Sequence, residues 1–274
     1  MDNYHLSGIY VYPVKSLGGV ELENAQVEER GLKFDRRWMV VDENNIFLSQ
    51  RRLPAMALIR TGISGNKIKL THKSKTVPPL YLTADEYSGQ QTSVKIFEKE
   101  VPAHFVSSVA DEWFSEALGV KCRLVYMSAT DIRHVNPKYA KKNETVSFAD
   151  GFPFLIIGQP SMDLLNSKLQ EKLSIMRFRP NFVFEGGSPH DEDKWLRIKI
   201  GEITFNVVKP CARCVIATVN QETAEKGKEP LRTLSKYRRA SGKIFFGQNM
   251  IAGNTGQVKL NDEIKVLKIK TNEI

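Results

Sequence analysis

The chain has 274 residues, 41% of them hydrophobic and 26% charged, which suits a soluble globular protein of one large or two modest domains and leaves no apolar stretch near the length of a membrane span. Met1-Asp2-Asn3-Tyr4-His5 has neither the basic nor the apolar region of a signal peptide, and three cysteines make no disulfide framework, so a cytoplasmic location without membrane contact is expected. The net charge of +9 invites a nucleic-acid partner, but the basic residues fall in scattered pairs such as Arg51-Arg52, Lys141-Lys142 and Arg238-Arg239 and no helix-turn-helix, RRM or KH signature is present. A specific nucleic-acid partner is therefore not expected; a phosphate-bearing cofactor, an anionic substrate or an acidic protein suits the charge as well.

Residues Leu6 to Val14 alternate in part and read as a strand, leaving through the turn Tyr12-Pro13-Val14-Lys15-Ser16. Val20 to Val27 reads as a second strand and Trp38 to Val41 as a third, with Ile46 to Leu48 returning as a hairpin. Ala57 to Gly62 and Lys67 to Thr71 flank Ser64-Gly65-Asn66 as another hairpin, followed by short β pieces at Val94 to Phe97 and Ala103 to Phe105. Such short strands between Gly, Pro and Asn turns predict a barrel-like first half. Ser107 to Leu118 reads as a helix, capped by Ser107 or Ser108, ended by Gly119, with Val109, Trp113, Phe114, Ala117 and Leu118 on one face. Cys122 to Met127 is a strand in which Cys122 is a core residue, and polar Asp131 to Ser147 is a long connection. Further elements are a strand at Phe154 to Ile157, a helix at Ser161 to Leu173, strands at Phe182 to Glu185 and Leu196 to Ile200, a short helix at Pro230 to Tyr237, and strands at Met250 to Ala252, Val258 to Leu260 and Glu263 to Lys268.

Glu202 to Val208 leads into Lys209-Pro210-Cys211-Ala212-Arg213-Cys214, followed by Val215-Ile216-Ala217-Thr218, which suits a strand. A thioredoxin-like C-x-x-C opens a helix, so that reading is weak here. On an extended backbone Cys211 and Arg213 share one face, and Ala212 and Cys214 the other, which does not favour chelation of one zinc. Two readings stand: buried reduced thiols, or one functional thiolate serving a metal that brings most of its own ligands. Three other polar clusters sit at strand ends or in loops: Lys15-Ser16, Asp35-Arg36-Arg37 and Arg179-Pro180-Asn181. Beside a thiolate, such cations would hold a phosphate and the asparagine would read a heterocycle edge. No P-loop, G-x-G-x-x-G, G-x-S-x-G or H-E-x-x-H is present.

At these clusters the sequence resembles the MOSC family, named for the C-terminal domain of molybdenum cofactor sulfurase, and within it the bacterial YcbX-type proteins and the mitochondrial amidoxime-reducing component. "YPVKS", "FDRRW", "FADGFPFLI", "RFRPNFV", "KPCARC" and "FGQN" occur in the family's order over nearly the whole chain. The resemblance implies a mixed, β-rich α+β fold, with an N-terminal MOSC β-barrel region (1–130) packed on a MOSC-fold β-barrel domain (131–274). It implies molybdenum cofactor (molybdopterin) between them, with Cys214 on the metal, Cys211 outside the metal site, and Lys15, Ser16, Arg36, Arg179 and Asn181 on the pterin and its phosphate. Asp150 lies in a matching segment without a definite role, and Ala212 stands where relatives often have a serine that bonds the cofactor. The implied activity is a molybdenum-dependent oxidoreductase acting on N-hydroxylated compounds such as hydroxylated nucleobases and amidoximes; the alternative is a carrier of the cofactor or of sulfur. Longer bacterial relatives carry a ferredoxin-like C-terminal domain, and this chain ends at Ile274 without one. It also lacks a cluster motif and a dinucleotide fingerprint. An acidic electron carrier of ferredoxin or flavodoxin type, with its reductase, is therefore the expected partner.

Overall fold

A computed structural model describes residues 3–270. Met1 and Asp2, read above for a leader, and Ile274, where the chain ends, lie outside the described residues. The central element is a closed barrel of seven strands, in the spatial order Phe154–Gly158, Phe182–Glu185, Tyr4–Val11, Glu263–Ile269, Trp195–Ile200, Ile203–Ala212 and Lys243–Ala252. Pairing of Phe154 with Met250 returns the last strand to the first. The first strand of the chain thus sits among partners from its second half, antiparallel to Phe182–Glu185 and Glu263–Ile269.

Alternation explains what fills the barrel. Phe154 and Ile156 point into a core shared with Leu6, Ile9, Phe182, Phe184 and Phe205, whereas Leu155 and Ile157 pack outward with Phe178, Ala217, Leu234 and Phe246. Phe154 stacks on Phe182 at 5.8 Å, and Phe205 meets both edge-on at 5.2 and 5.4 Å. The interior is therefore packed, and a ligand must bind at its end or flank. A four-stranded sheet (Trp38–Val41, Arg123–Tyr126, Lys99–Phe105, Gln91–Ile96), a three-stranded one (Ile59–Ser64, Lys67–His72, Leu80–Thr83) and the helix Ser108–Leu118 complete the first half. Ser107 caps that helix by accepting from the Ala110 N–H, and Gly119 ends it at φ 71°. The expected β-rich α+β fold, with few helices, is the observed one.

Several local expectations change. The strand expected over Val20 to Val27 is two, Val20–Leu22 pairing with Tyr4–Val11 and Asn24–Glu28 with Gly256–Lys259. Ile46 to Leu48 makes only single bridges, Phe47 with Val41 and Ile46 with Lys95. The second helix runs over Gln159–Asn166, because the Asn166 amide donates to the Leu173 carbonyl and accepts from its N–H, folding the chain back. Val215–Thr218 is a 3-10 turn, and "FGQN" lies inside the strand Lys243–Ala252.

Candidate functional site

The turn after the first strand buries Lys15, whose Nζ donates to the Phe148 carbonyl at 2.8 Å and to Asp150 Oδ1. Ser16 adopts φ 69°, and Gln50 fixes its carbonyl with a 2.7 Å hydrogen bond. Arg133, within the polar connection, donates to the carbonyls of Ser147 (2.7 Å), Ala149 and Asp150 (3.2 Å) and so holds the segment that faces Lys15. The Asp150 side chain is 60% exposed to the cleft. Desolvation would raise its pKa, but Lys15, Arg51 and Arg36 outweigh this and hold the carboxyl below the usual range. Burial lowers the Lys15 pKa, with Asp150 opposing.

In "FDRRW", buried Asp35 accepts from the Tyr12 N–H at 2.9 Å and from Arg36 Nη1. Arg36 and Arg179 both lie 4.2 Å from the centre of the Tyr12 ring, and Arg36 Nη2 donates to the Arg179 carbonyl at 3.2 Å. Tyr12 is therefore a shelf for two guanidiniums. Burial, then Arg36, brings the Arg179 pKa down to about 10. Arg179 ends the 3-10 turn Ile175–Phe178 at φ 55°, and Arg36 has φ 50°. Non-glycine residues rarely adopt this left-handed region. Arg179 Nη1 donates to the Leu17 carbonyl at 2.7 Å, while Nη2 is buried with no hydrogen-bond partner. Asn181 clamps the strands beside the cleft: Nδ2 donates to the Tyr10 carbonyl, and Oδ1 accepts from the Leu155 N–H, each at 3.2 Å.

Across the cleft, the pairing of Ile203–Ala212 with Lys243–Ala252 shifts register between Pro210 and Ala212. That irregularity interrupts the strict alternation expected through the cysteines, and Cys211, Ala212, Arg213 and Cys214 all line the cleft. Cys211 and Arg213 do meet, with Nη1 2.9 Å from Sγ, and Arg213 Nη2 donates to the Phe178 carbonyl. Cys214 leads into the turn Val215–Thr218.

Lys15, Ser16, Arg36, Arg179, Asn181 and Cys214, together with Asp150 and Cys211, therefore border one cleft with about 800 Å³ of empty space open to solvent. Arg177, Arg213 and Asn249 line it as well and are additions to the expected set. The first two sit inside "RFRPNFV" and "KPCARC", where adjacency to the expected residues was the available signal. Five cationic side chains (Lys15, Arg36, Arg177, Arg179, Arg213) face the space against one lining carboxylate, Asp150, so it favours an anion. Among the described residues no three His, Cys, Asp or Glu side chains are placed to chelate a metal.

A β-barrel with a cationic, thiol-bearing cleft on its flank suits the binding of an anionic group. The chain belongs to the MOSC family: residues 3–121 match the MOSC N-terminal beta barrel domain and residues 143–265 the MOSC domain. It is 32% identical over 266 residues to a molybdenum cofactor sulfurase of Oryza sativa subsp. japonica, covering 90% of this chain and 32% of that protein. It is 27% identical over 280 residues to mitochondrial amidoxime-reducing component 1 of Mus musculus, covering 94% of this chain and 81% of that one. The chain thus spans about a third of the length of the plant sulfurases it matches. The solved YUAD protein of Bacillus subtilis aligns over 96% of this chain and 94% of its own with 10% identity and a TM-score of 0.44. Among the described residues no helix is long and apolar enough to cross a membrane.

Proposed function

We propose that this chain binds molybdenum cofactor in the cleft and reduces N-hydroxylated compounds, using electrons from a separate acidic carrier of ferredoxin or flavodoxin type. The observation that carries the reading is the convergence of cations from separate motifs on one thiol-bearing cleft, with Arg179 Nη2 buried and unpartnered. A buried donor without an acceptor is costly, and a phosphate oxygen would satisfy it. In this reading Cys214 holds the metal; Lys15, Ser16, Arg36 and Arg179 hold the pterin and its phosphate. Asn181, whose amide already bonds Tyr10 and Leu155, keeps one N–H for the ring edge. The bound cofactor supplies two-electron redox chemistry, while the protein's residues bind, orient and neutralise charge. The similarity to the amidoxime-reducing component supports an enzyme. That to sulfurases supports a second reading, a cofactor or sulfur carrier without turnover.

The test is metal analysis with pterin fluorescence on protein from a cofactor-competent host, followed by turnover of a hydroxylamine with a chemical electron donor. Catalytic conversion selects the enzyme, cofactor without conversion selects the carrier, and protein lacking both molybdenum and pterin rejects both.

A further inference from the structure

Most of the cleft's cations already have partners within the protein. Lys15 bonds Asp150 and the Phe148 carbonyl, and Arg36 bonds Asp35 and the Arg179 carbonyl. Arg213 reaches Cys211 and the Phe178 carbonyl, and Arg179 reaches Leu17. Arg177 differs. Its backbone N–H bonds the Ser174 carbonyl, but among the described residues its guanidinium has no hydrogen bond, ion pair or aromatic contact. It is nevertheless half-buried, and burial alone lowers its pKa. Its nitrogens keep contact with solvent, so the guanidinium is a partly desolvated cation free to take an anion that enters the cleft.

Its position limits what that counter-charge belongs to. Arg177 sits on the turn Ile175–Phe178, which packs against the turn Val215–Thr218 led by Cys214. Arg179, two residues on, turns away through its left-handed backbone to Tyr12 and Leu17, toward the lysine and serine wall. The two arginines thus divide the cleft: Arg179 goes with the groups proposed for the phosphate, and Arg177 belongs to the turn that packs against the one led by Cys214, the residue proposed to hold the metal.

We infer that Arg177 is a specificity residue that receives an anionic group, a carboxylate or phosphate, on the N-hydroxylated substrate. The inference rests on the proposed reductase function and narrows its substrate class to acidic compounds. A guanidinium matches a carboxylate or phosphate in two parallel hydrogen bonds, whereas a lysine offers only a point charge.

The test uses cofactor-loaded protein with benzamidoxime, which is neutral, and 4-carboxybenzamidoxime, which carries the anion. Calorimetry gives Kd and steady-state assays give KM and kcat, for wild type, Arg177→Ala and Arg177→Lys. Wild type is expected to prefer the carboxylate compound roughly tenfold in Kd and KM, with similar kcat for both. Arg177→Ala is expected to abolish the preference, leave benzamidoxime binding unchanged and keep molybdenum and pterin content at the wild-type level. Arg177→Lys is expected to keep part of the preference. Absence of a preference in wild type, or its survival in Arg177→Ala, overturns the inference. Loss of pterin from Arg177→Ala also overturns it, since Arg177 would then serve the cofactor phosphate. Failure of wild type to turn over either compound rejects the reductase reading, while the calorimetric preference still decides the role of Arg177.

Discussion

The two walls of the cleft differ in how much of their charge is matched inside the protein. On one wall, Lys15 and Arg36 face carboxylates and carbonyls, and Arg133 ties the Ser147 to Asp150 carbonyls beneath them. On the other, two thiols border the space and Arg177 has no side-chain partner among the described residues, while Arg179, which runs from that side toward Tyr12 and Leu17, leaves one buried nitrogen unsatisfied. The first wall is organised before any ligand arrives, and the second is completed by one. Preorganisation around Lys15 and Arg36, with the unmet Arg179 nitrogen beside them, suits tight, oriented binding of a phosphate, and the free Arg177 guanidinium leaves a second anion-binding group on the thiol side.

The strongest way to break this comparison is at the thiols. Cys214→Ser is expected to abolish activity and weaken metal retention, whereas Cys211→Ser does less, as read by molybdenum per chain and turnover. Equal metal loss in both variants would contradict a single ligand. Next come the cations. Arg179→Ala is expected to lower cofactor affinity about tenfold or more without changing the circular dichroism spectrum, because it removes a charge-assisted contact to phosphate. Lys15→Ala should also lower occupancy and, in addition, loosen the Phe148 to Asp150 segment it ties, which limited proteolysis would report. Unchanged cofactor content per folded chain in either variant would make that residue purely structural.

Glu192 supplies a reference outside both walls, a buried carboxyl that accepts from Ser161 Oγ at 3.0 and 3.1 Å and from the Gly158 N–H at 3.3 Å. Burial pushes its pKa up to about 7. The folded chain then holds a proton that the unfolded chain has released, so this group's contribution to stability falls as pH rises from about 4.5 to 7. The loss is on the order of 3 kcal/mol, and Glu192→Gln should flatten it. Urea midpoints at pH 5 and pH 7.5 check this, and the same slope in both proteins would remove Glu192 as its source. The smallest effect concerns the electron donor. Reduction through an acidic carrier should slow as salt is added, and a rate indifferent to ionic strength would reject electrostatic steering.

Much of this was legible in local sequence. Ser107 and Gly119 mark the ends of one helix because caps act within a turn, and alternation at Leu6 to Val11 marks a strand because one face is buried. The expected cleft residues lie in short motifs whose order survives in one chain. What stayed hidden depends on long-range placement. Nothing local in Tyr4–Val11 says that it pairs with Phe182–Glu185 and Glu263–Ile269, or that the Tyr12 ring will lie beside two arginines distant from each other in sequence. Val, Ile and Thr after Cys214 suggest a strand, but the strand ends at Ala212 and the chain enters a 3-10 turn at Val215. Arg133 looked like part of a polar connection until its carbonyl partners were visible.

The central claim is that this cleft holds molybdenum cofactor through Cys214 and the Arg179 side. Its most direct test is molybdenum and pterin content per chain for wild type, Cys214→Ser and Arg179→Ala, all purified from one cofactor-competent host. The account predicts near-stoichiometric molybdenum and pterin in wild type, with both reduced in each variant while the fold is kept. Wild-type protein free of pterin, or variants that retain as much as wild type, would contradict it.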